Sequence, residues 1–243
     1  MRIDLYITLN NPMLTRSKAQ KLIEENRVKV NGKIVTKASF DVDDGSCVEI
    51  IASQETEYVG RGGYKLEHAL KSFDVDVKDK TALDIGSSTG GFTQCLLLNG
   101  AKRVYAVDSG KGQLAAELLA DERVVSIEGF NARNLTTDEI GGCFMDVVVM
   151  DVSFISQKLL YPAILRVAKS GADVITLIKP QFEAGKQNVG KKGIVKDDKI
   201  RNKCIDDIIE YAKSMGFEYI SHTDSPILGG DGNKEFLLHL KVK

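Results

Sequence analysis

The feature that most constrains this chain is a glycine-rich turn, Asp84-Ile-Gly-Ser-Ser-Thr-Gly-Gly-Phe, set between an apolar strand-like run at 81–85 and a helical run at 91–99. Glycines 86, 90 and 91 allow a tight strand-to-helix bend and a close backbone approach to a ligand. Around this turn strands and helices alternate. Helix is predicted at 64–73, 91–99, 113–120, 158–169 and 199–215, and strand at 81–85, 103–107, 124–128, 146–151 and 172–178, with last strands near 217–224 and 235–242. Alternation of this kind makes an open, mostly parallel sheet with helices on both faces, so the expected class is α/β. Ligands of such sheets sit at the carboxyl ends of the strands.

The turn is not a full dinucleotide fingerprint, because Ser88 stands where the middle glycine of that pattern would be. A phosphate-free nucleoside suits it better than a pyrophosphate. The second strand ends at Asp108, where a carboxylate can accept hydrogen bonds from two ribose hydroxyls. Taken alone, the turn could be a plain bend and Asp108 a helix cap.

Four charged residues stand at the ends of predicted elements. They are Lys65 in Arg61-Gly-Gly-Tyr-Lys, Asp151 closing Val147-Val-Val-Met-Asp, Lys179 in Leu177-Ile-Lys-Pro-Gln-Phe, and Glu235 in Gly232-Asn-Lys-Glu-Phe. Asp151 and Lys179 each follow an apolar run expected to be a buried central strand, so each should emerge at the ligand edge. Singly, Asp151 also fits a strand-end turn and Lys179-Pro180 a strand terminator. The combination points to a site.

The first sixty residues have a different character. From Arg16 to Lys37 there are seven Lys or Arg (Arg16, Lys18, Lys21, Arg27, Lys29, Lys33, Lys37) against Glu24 and Glu25, although the whole chain carries a net charge of only −1. Ala19, Leu22 and Ile23 fall at helical spacing after Thr15, a candidate N-cap, and Asn31-Gly32 marks a hairpin turn. A compact basic face with no catalytic residues suits a phosphate backbone, and equally a solvated charged helix. The 243 residues, 43% hydrophobic and 28% charged, suffice for one domain of ordinary size and a smaller one. No apolar run approaches the roughly 20 residues of a bilayer span, and Met1-Arg-Ile-Asp lacks a signal-peptide core, so a cytoplasmic protein without a membrane partner is expected. Cys47, Cys95, Cys143 and Cys204 stand singly and are expected to be buried free thiols, with no metal site.

The segment R-I-D…T-R-S-K-A-Q-K-L-I-x-x-x-R-V-x-V-N-G resembles the alpha-L RNA-binding domain of a ribosomal small-subunit protein, pseudouridine synthases and tyrosyl-tRNA synthetases. Further along, R-G-G-Y-K-L, L-D-I-G-x-S-T-G-G-F-T, N-A-R at 131–133, D-V-S-F-I-S, L-I-K-P-Q-F-E-A-G and G-N-x-E-F resemble the TlyA, or hemolysin A, family of ribosomal RNA 2′-O-methyltransferases, whose catalytic domain is FtsJ-like. Ser109, Lys111 and Glu128-Gly-Phe-Asn depart from the family pattern around the second and third strand ends.

The resemblance implies an RNA-binding domain at 1–55, a connector at 56–63 and a Rossmann-like methyltransferase domain at 64–243. It implies S-adenosylmethionine as cofactor and ribosomal RNA, within ribosomal subunits, as partner, with cytidine the expected nucleotide. Catalytic duty would fall to Lys65, Asp151, Lys179 and Glu235. Cofactor contacts would come from Asp84, Gly86, Ser88, Gly90, Gly91, Phe92, Asp108 and Asn131, and RNA contacts from Arg16, Lys18, Lys21, Lys29 and Arg61. A ribose hydroxyl is a very weak acid, so Lys179 would have to take or orient its proton, and a neighbouring cation such as Lys65 is expected to favour its neutral form. A nonenzymatic RNA-binding or ribosome-assembly factor, a membrane-active hemolysin and a nicotinamide-dependent oxidoreductase are the competing functions. The four charged residues, the lack of any membrane-spanning pattern and Ser88 count against these in turn.

Overall fold

The computed structural model describes residues 1–11, 14–24, 26–43, 45–51 and 58–243, apart from the side chains of Lys18 and Lys21. They form two compact units, Met1–Glu57 and Tyr58–Lys243.

In the smaller unit, helices α1 (Ile3–Asn10) and α2 (Arg16–Glu24) accompany strands β1 (Val28–Val30), β2 (Lys33–Ile34) and β3 (Val48–Ile50), in antiparallel order β2-β1-β3. Ala19, Leu22 and Ile23 are buried as their spacing requires, with Ile3, Ile7, Val28 and Val30. Asn31 and Gly32 both have positive φ, +51° and +77°, which a tight hairpin turn demands. Helix α1 escaped the sequence pattern because exposed Leu5 and Leu9 blur the Ile3/Ile7 stripe. Its Asp4 is fully buried and accepts hydrogen bonds from Arg2, Arg16, Gln20 and the Leu5 N–H. Burial alone would raise the Asp4 pKa, but the bonds from Arg2, Gln20 and Arg16 outweigh it and hold the carboxyl well below the usual range.

The larger unit is the predicted α/β sheet, with seven strands in order β6-β5-β4-β7-β8-β10-β9. These are β4 (Thr81–Ile85), β5 (Arg103–Asp108), β6 (Val124–Glu128), β7 (Met145–Met150), β8 (Ala168–Ile178), β9 (Phe217–Asp224) and β10 (Phe236–Val242). The five strands from β6 to β8 run parallel, while β10 is antiparallel to both its neighbours. Strand order reverses between β4 and β7, which makes their carboxyl ends the crevice where such sheets bind ligands. Helices α3 (Gly62–Phe73), α4 (Gly91–Leu98) and α5 (Ala116–Leu119) pack Leu66, Phe92, Leu96 and Leu118 on one face. On the other, α6 (Tyr161–Val167) and α8 (Asp198–Met215) bury Tyr161, Ile164, Ile205 and Ile208. A short α7 (Pro180–Glu183) follows β8.

The helix expected at 113–120 shrinks to α5 because the segment before it is spent elsewhere: the N–H groups of Gly112, Gln113 and Leu114 all donate to the Glu128 carboxylate. Tyr58 and Val59, in the stretch read as a connector, pack against the α3/α4 core. All four cysteines are free, but only Cys95 and Cys204 are buried; Cys47 and Cys143 lie exposed just before β3 and β7, outside both cores.

Candidate active site

At the carboxyl edge of β4, β7 and β8 the four charged residues form one row of alternating sign. Lys65 enters from the first turn of α3 and donates to Glu235 Oε2 at 2.6 Å, while its ammonium lies 3.9 Å from Asp151 Oδ2. On the other side of Asp151, Oδ1 pairs with Lys179 Nζ at 2.5 Å, an ion pair by distance whose angles do not make it an aligned hydrogen bond. Lys179 donates instead to Ser153 Oγ at 2.8 Å. The side chains are 8%, 3%, 19% and 11% exposed for Lys65, Glu235, Asp151 and Lys179. Buried charges persist only when paired, and each of these has an opposite neighbour. Lys65 is thus occupied by Glu235 and Asp151, and does not face Lys179 as the bare cation expected from the sequence.

Gly86 shows why β4 must break into glycine. Its φ is +84°, and a Cβ there would stand 2.4 Å from the backbone oxygen of Asp151. The glycine serves the chain's own packing, letting the turn pass against the end of β7. Gly91 is similar: a Cβ would lie 2.8 Å from Gly60 O and Gly63 N, so α4 starts flush against the turn that presents Lys65.

Two chambers meet at this edge. The larger, about 610 Å³, is lined by Gly86, Ser88, Asp108, Gln113, Phe130, Asn131, Arg133 and Asp151 among others. The smaller, about 230 Å³, is lined by Gly60, Arg61, Gly62, Thr89, Gly91, Phe92 and Lys179 and shares Gly86, Ser88, Asp151 and Ser153 with the larger. Asp108 accepts from the N–H groups of Ser88 (2.9 Å) and Gly110 (2.7 Å), which fixes the carboxylate while leaving lone pairs for further donors. The larger chamber offers two carboxylates and one guanidinium, a balance that suits a phosphate-free nucleoside carrying positive charge and disfavours a pyrophosphate.

The other expected residues take varied places. Asp84 is fully buried; its Oδ2 accepts from Thr93 at 2.7 Å, and its Oδ1 has no partner among the described residues. Burial pushes its pKa up to about 7, with the Thr93 hydrogen bond opposing and the Asp151 charge adding. Phe92 is a core side chain that touches the smaller chamber, and Gly90, at φ +99°, abuts Leu118 and lines neither chamber. Asn131 caps a short helical turn by accepting from the Arg133 N–H. Arg61 donates to Leu228 O at 2.7 Å, tying the Lys65 turn to the loop before Glu235. In the smaller unit, Arg16 is held on Asp4 at 3.0 Å, which makes it a structural anchor as much as an open phosphate contact, and Lys29 is half-buried opposite Glu49. The side chains of Lys18 and Lys21 lie outside the described residues. Ser153, Gln113, Phe130 and Arg133 were not singled out from sequence; Ser153 stood inside the Asp151-Val-Ser-Phe run, but only the fold turns it toward Lys179.

Comparison with known proteins shows the family: the chain belongs to the FtsJ-like methyltransferases. The FtsJ-like methyltransferase family matches residues 58–242 and the S4 domain matches residues 1–46. Hemolysin A of Brachyspira hyodysenteriae is 44% identical over 242 residues, covering 100% of each chain. The 16S/23S rRNA (cytidine-2′-O)-methyltransferase TlyA of Mycobacterium tuberculosis is 38% identical over 242 residues, covering 100% of this chain and 90% of that one. A solved structure from Streptococcus thermophilus, of a protein provisionally described as a hemolysin, superposes with a TM-score of 0.78 at 39% identity, over 100% of this chain and 88% of that one.

Proposed function

Because the chain belongs to the FtsJ-like methyltransferase family and carries an S4 domain ahead of that fold, we propose that it methylates a ribose 2′-hydroxyl of ribosomal RNA, at cytidine as in the name of its mycobacterial relative. The carrying observation is the Glu235–Lys65–Asp151–Lys179 row at the junction of the two chambers.

S-adenosylmethionine, the methyl donor of this fold family, supplies an electrophilic methyl group when bound. Asp108 and the Gly86–Ser88 turn would hold its nucleoside in the larger chamber, with Phe130, Asn131 and Gln113 around it. The acceptor ribose would enter beside Lys179. In the resting site Lys179 is shared between Asp151 and Ser153, so an incoming hydroxyl oxygen can replace Ser153 as the acceptor of its N–H. Lys179 would pass one ammonium proton to Asp151 Oδ1 and take the hydroxyl proton in its place as the oxygen accepts the methyl group, the donor's carbon–sulfur bond breaking to leave a neutral thioether. Lys65, anchored by Glu235, keeps the far oxygen of Asp151 in place throughout. Positioning of this kind supplies much of the acceleration in group transfer.

RNA affinity would come from the basic residues of the S4 domain, Arg16, Lys18, Lys21 and Lys29, with Arg61 added at the rim of the smaller chamber. Ribose-methylation mapping of ribosomal RNA from cells with and without this gene tests the function directly. Loss of one or more cytidine 2′-O-methyl marks without the gene supports it, and an identical map in both strains refutes it. Calorimetry tests the cofactor: binding of S-adenosylmethionine or S-adenosylhomocysteine is expected, and binding of NAD in their place would overturn the assignment.

A further inference from the structure

Lys179 and Glu183 are the two ends of one tight turn. Strand β8 ends at Ile178, α7 runs from Pro180 to Glu183, and the N–H groups of Phe182 and Ala184 donate to the carbonyls of Lys179 and Pro180, so the turn is one piece. Facing it is the loop that follows Asp151. The start of that loop is fixed by the Asp151 N–H, which donates to Ile85 O at 3.0 Å. Among the described residues, no backbone N–H from Val152 to Ile155 reaches a backbone acceptor. Side chains therefore decide where the loop sits.

Polar links join loop and turn at both ends of the turn. Lys179 donates to Ser153 Oγ at 2.8 Å. Further along the loop, the Ser156 hydroxyl donates to Glu183 Oε2 at 2.6 Å and the Gln157 N–H donates to Glu183 Oε1 at 2.9 Å, so both carboxylate oxygens are engaged. Gln157 is 1% exposed and accepts from the Tyr161 hydroxyl at 3.1 Å, which carries this link into the core. Between the two links stands Phe154 with a φ of +68°, a conformation that a bulky residue keeps only where its surroundings over-determine it. The Phe154 ring is 88% exposed, so its contact with Phe182 supplies little of that constraint. Burial raises the Glu183 pKa above the ordinary carboxyl value, and the bonds from Ser156 and Gln157 oppose it.

The Glu183 link closes a ring that runs from Asp151 along the loop to Ser156, across to Glu183, and back along α7 to Lys179; the opposite side of the ring is the Lys179–Asp151 pair. In the reaction proposed above the incoming hydroxyl takes the place of Ser153 on Lys179, so the link at that end is given up. The Glu183 link is then the polar tie that remains. We propose that Glu183 is a positioning residue for methyl transfer, holding the loop against α7 so that Lys179 and Asp151 keep their separation while Lys179 changes partners. The inference rests on the 2′-O-methylation proposed above and adds to it a residue that lines neither of the two chambers at the site.

The test uses the full-length protein, S-adenosylmethionine and a ribosomal RNA fragment spanning the mapped acceptor position. In single-turnover reactions with both saturating, Glu183→Ala should slow methyl transfer by about 10- to 100-fold, the range that a misplacement of about 1 Å costs. Cofactor and RNA dissociation constants should stay within about two-fold, because the lost group acts on the chemical step. Glu183→Gln should restore the rate to within about three-fold: its amide oxygen accepts from the Gln157 N–H and its amide nitrogen donates to the Ser156 hydroxyl, so both bonds survive without the charge. Ser156→Ala removes one bond and leaves α7 intact; it should slow transfer by about 3- to 10-fold, the worth of one hydrogen bond, and decides the case even where Glu183→Ala does not fold. A Glu183→Ala or Ser156→Ala protein that works at the unaltered rate overturns the proposal. So does a Glu183→Gln protein as slow as Glu183→Ala, or a rate loss matched by an equal loss of RNA affinity. Failure of the unaltered protein to methylate the fragment refutes the underlying activity instead, and is told apart because no rate then exists to compare.

Discussion

Replacing Lys179 with alanine separates chemistry from architecture, because the structure gives the two very different costs. The substitution removes the closest counter-ion of Asp151, which then retains Lys65 at 3.9 Å. A pair at that distance is worth about 4 kcal/mol at an effective dielectric near 20, so Asp151 is not left uncompensated. The structural loss should be about 1.5–3 kcal/mol, the cost of one hydrogen bond to a charged group. For a protein of this size that lowers the midpoint of thermal unfolding by about 3–12 °C. The chemical loss should be larger: removing a group that handles the reacting proton costs ~100- to 10,000-fold in rate, or about 3–5 kcal/mol in the barrier. The assay is single-turnover methyl transfer at saturating cofactor, with cofactor and RNA affinities measured separately and expected to be unchanged. Lys179→Arg refines the outcome, since a guanidinium can orient the hydroxyl but stays protonated and cannot take its proton. A Lys179→Ala protein that transfers methyl within ten-fold of the normal rate would refute the role given to this residue.

Glu235→Gln leaves the Lys65 ammonium, 8% exposed, with only the more distant Asp151, so stability in urea melts should fall by about 3 kcal/mol, the low end of the cost of breaking a buried pair; an unmoved midpoint would contradict the pairing. Asp84 titrates near 7 in the folded protein against an ordinary value of 3.8. The unfolded chain therefore gives up this proton first as pH rises, and the residue withdraws stability progressively between about pH 4 and pH 7 and no further above that. Asp84→Asn should show a smaller loss of stability from pH 5 to pH 7 than the unaltered protein, and parallel curves would exclude the effect. In the smaller unit, Arg16→Ala should lower the unfolding temperature because it strips a partner from buried Asp4, whereas Lys29→Ala should leave stability alone and reduce the salt dependence of RNA binding by about one unit of slope. Equal behaviour of the two variants in both assays would show that the Asp4 anchor does not distinguish them.

Much of this protein was legible along the chain because local pattern specifies it. The apolar runs that lead to Asp108, Asp151 and Lys179 read as buried strands of a parallel sheet, and a side chain that ends such a strand emerges at its carboxyl edge. Hence the fold and the neighbourhood of the site follow from periodicity. What periodicity cannot carry is the partner of each side chain. Lys65 and Glu235 lie 170 residues apart and meet only because β10 inserts antiparallel between β8 and β9, bringing the residue before it to the edge where α3 begins. That pairing turned Lys65 from an expected neighbour of Lys179 into a support for Asp151. In the same way Arg16, plainly basic in the sequence, became an anchor for Asp4, and Gly86 proved to answer to the backbone of Asp151. Helix and strand are decided by spacing within a few residues, where the chain's own sequence holds all the terms. Charge pairing and close backbone approach depend on distances between distant elements, and those exist only once strand order has been settled.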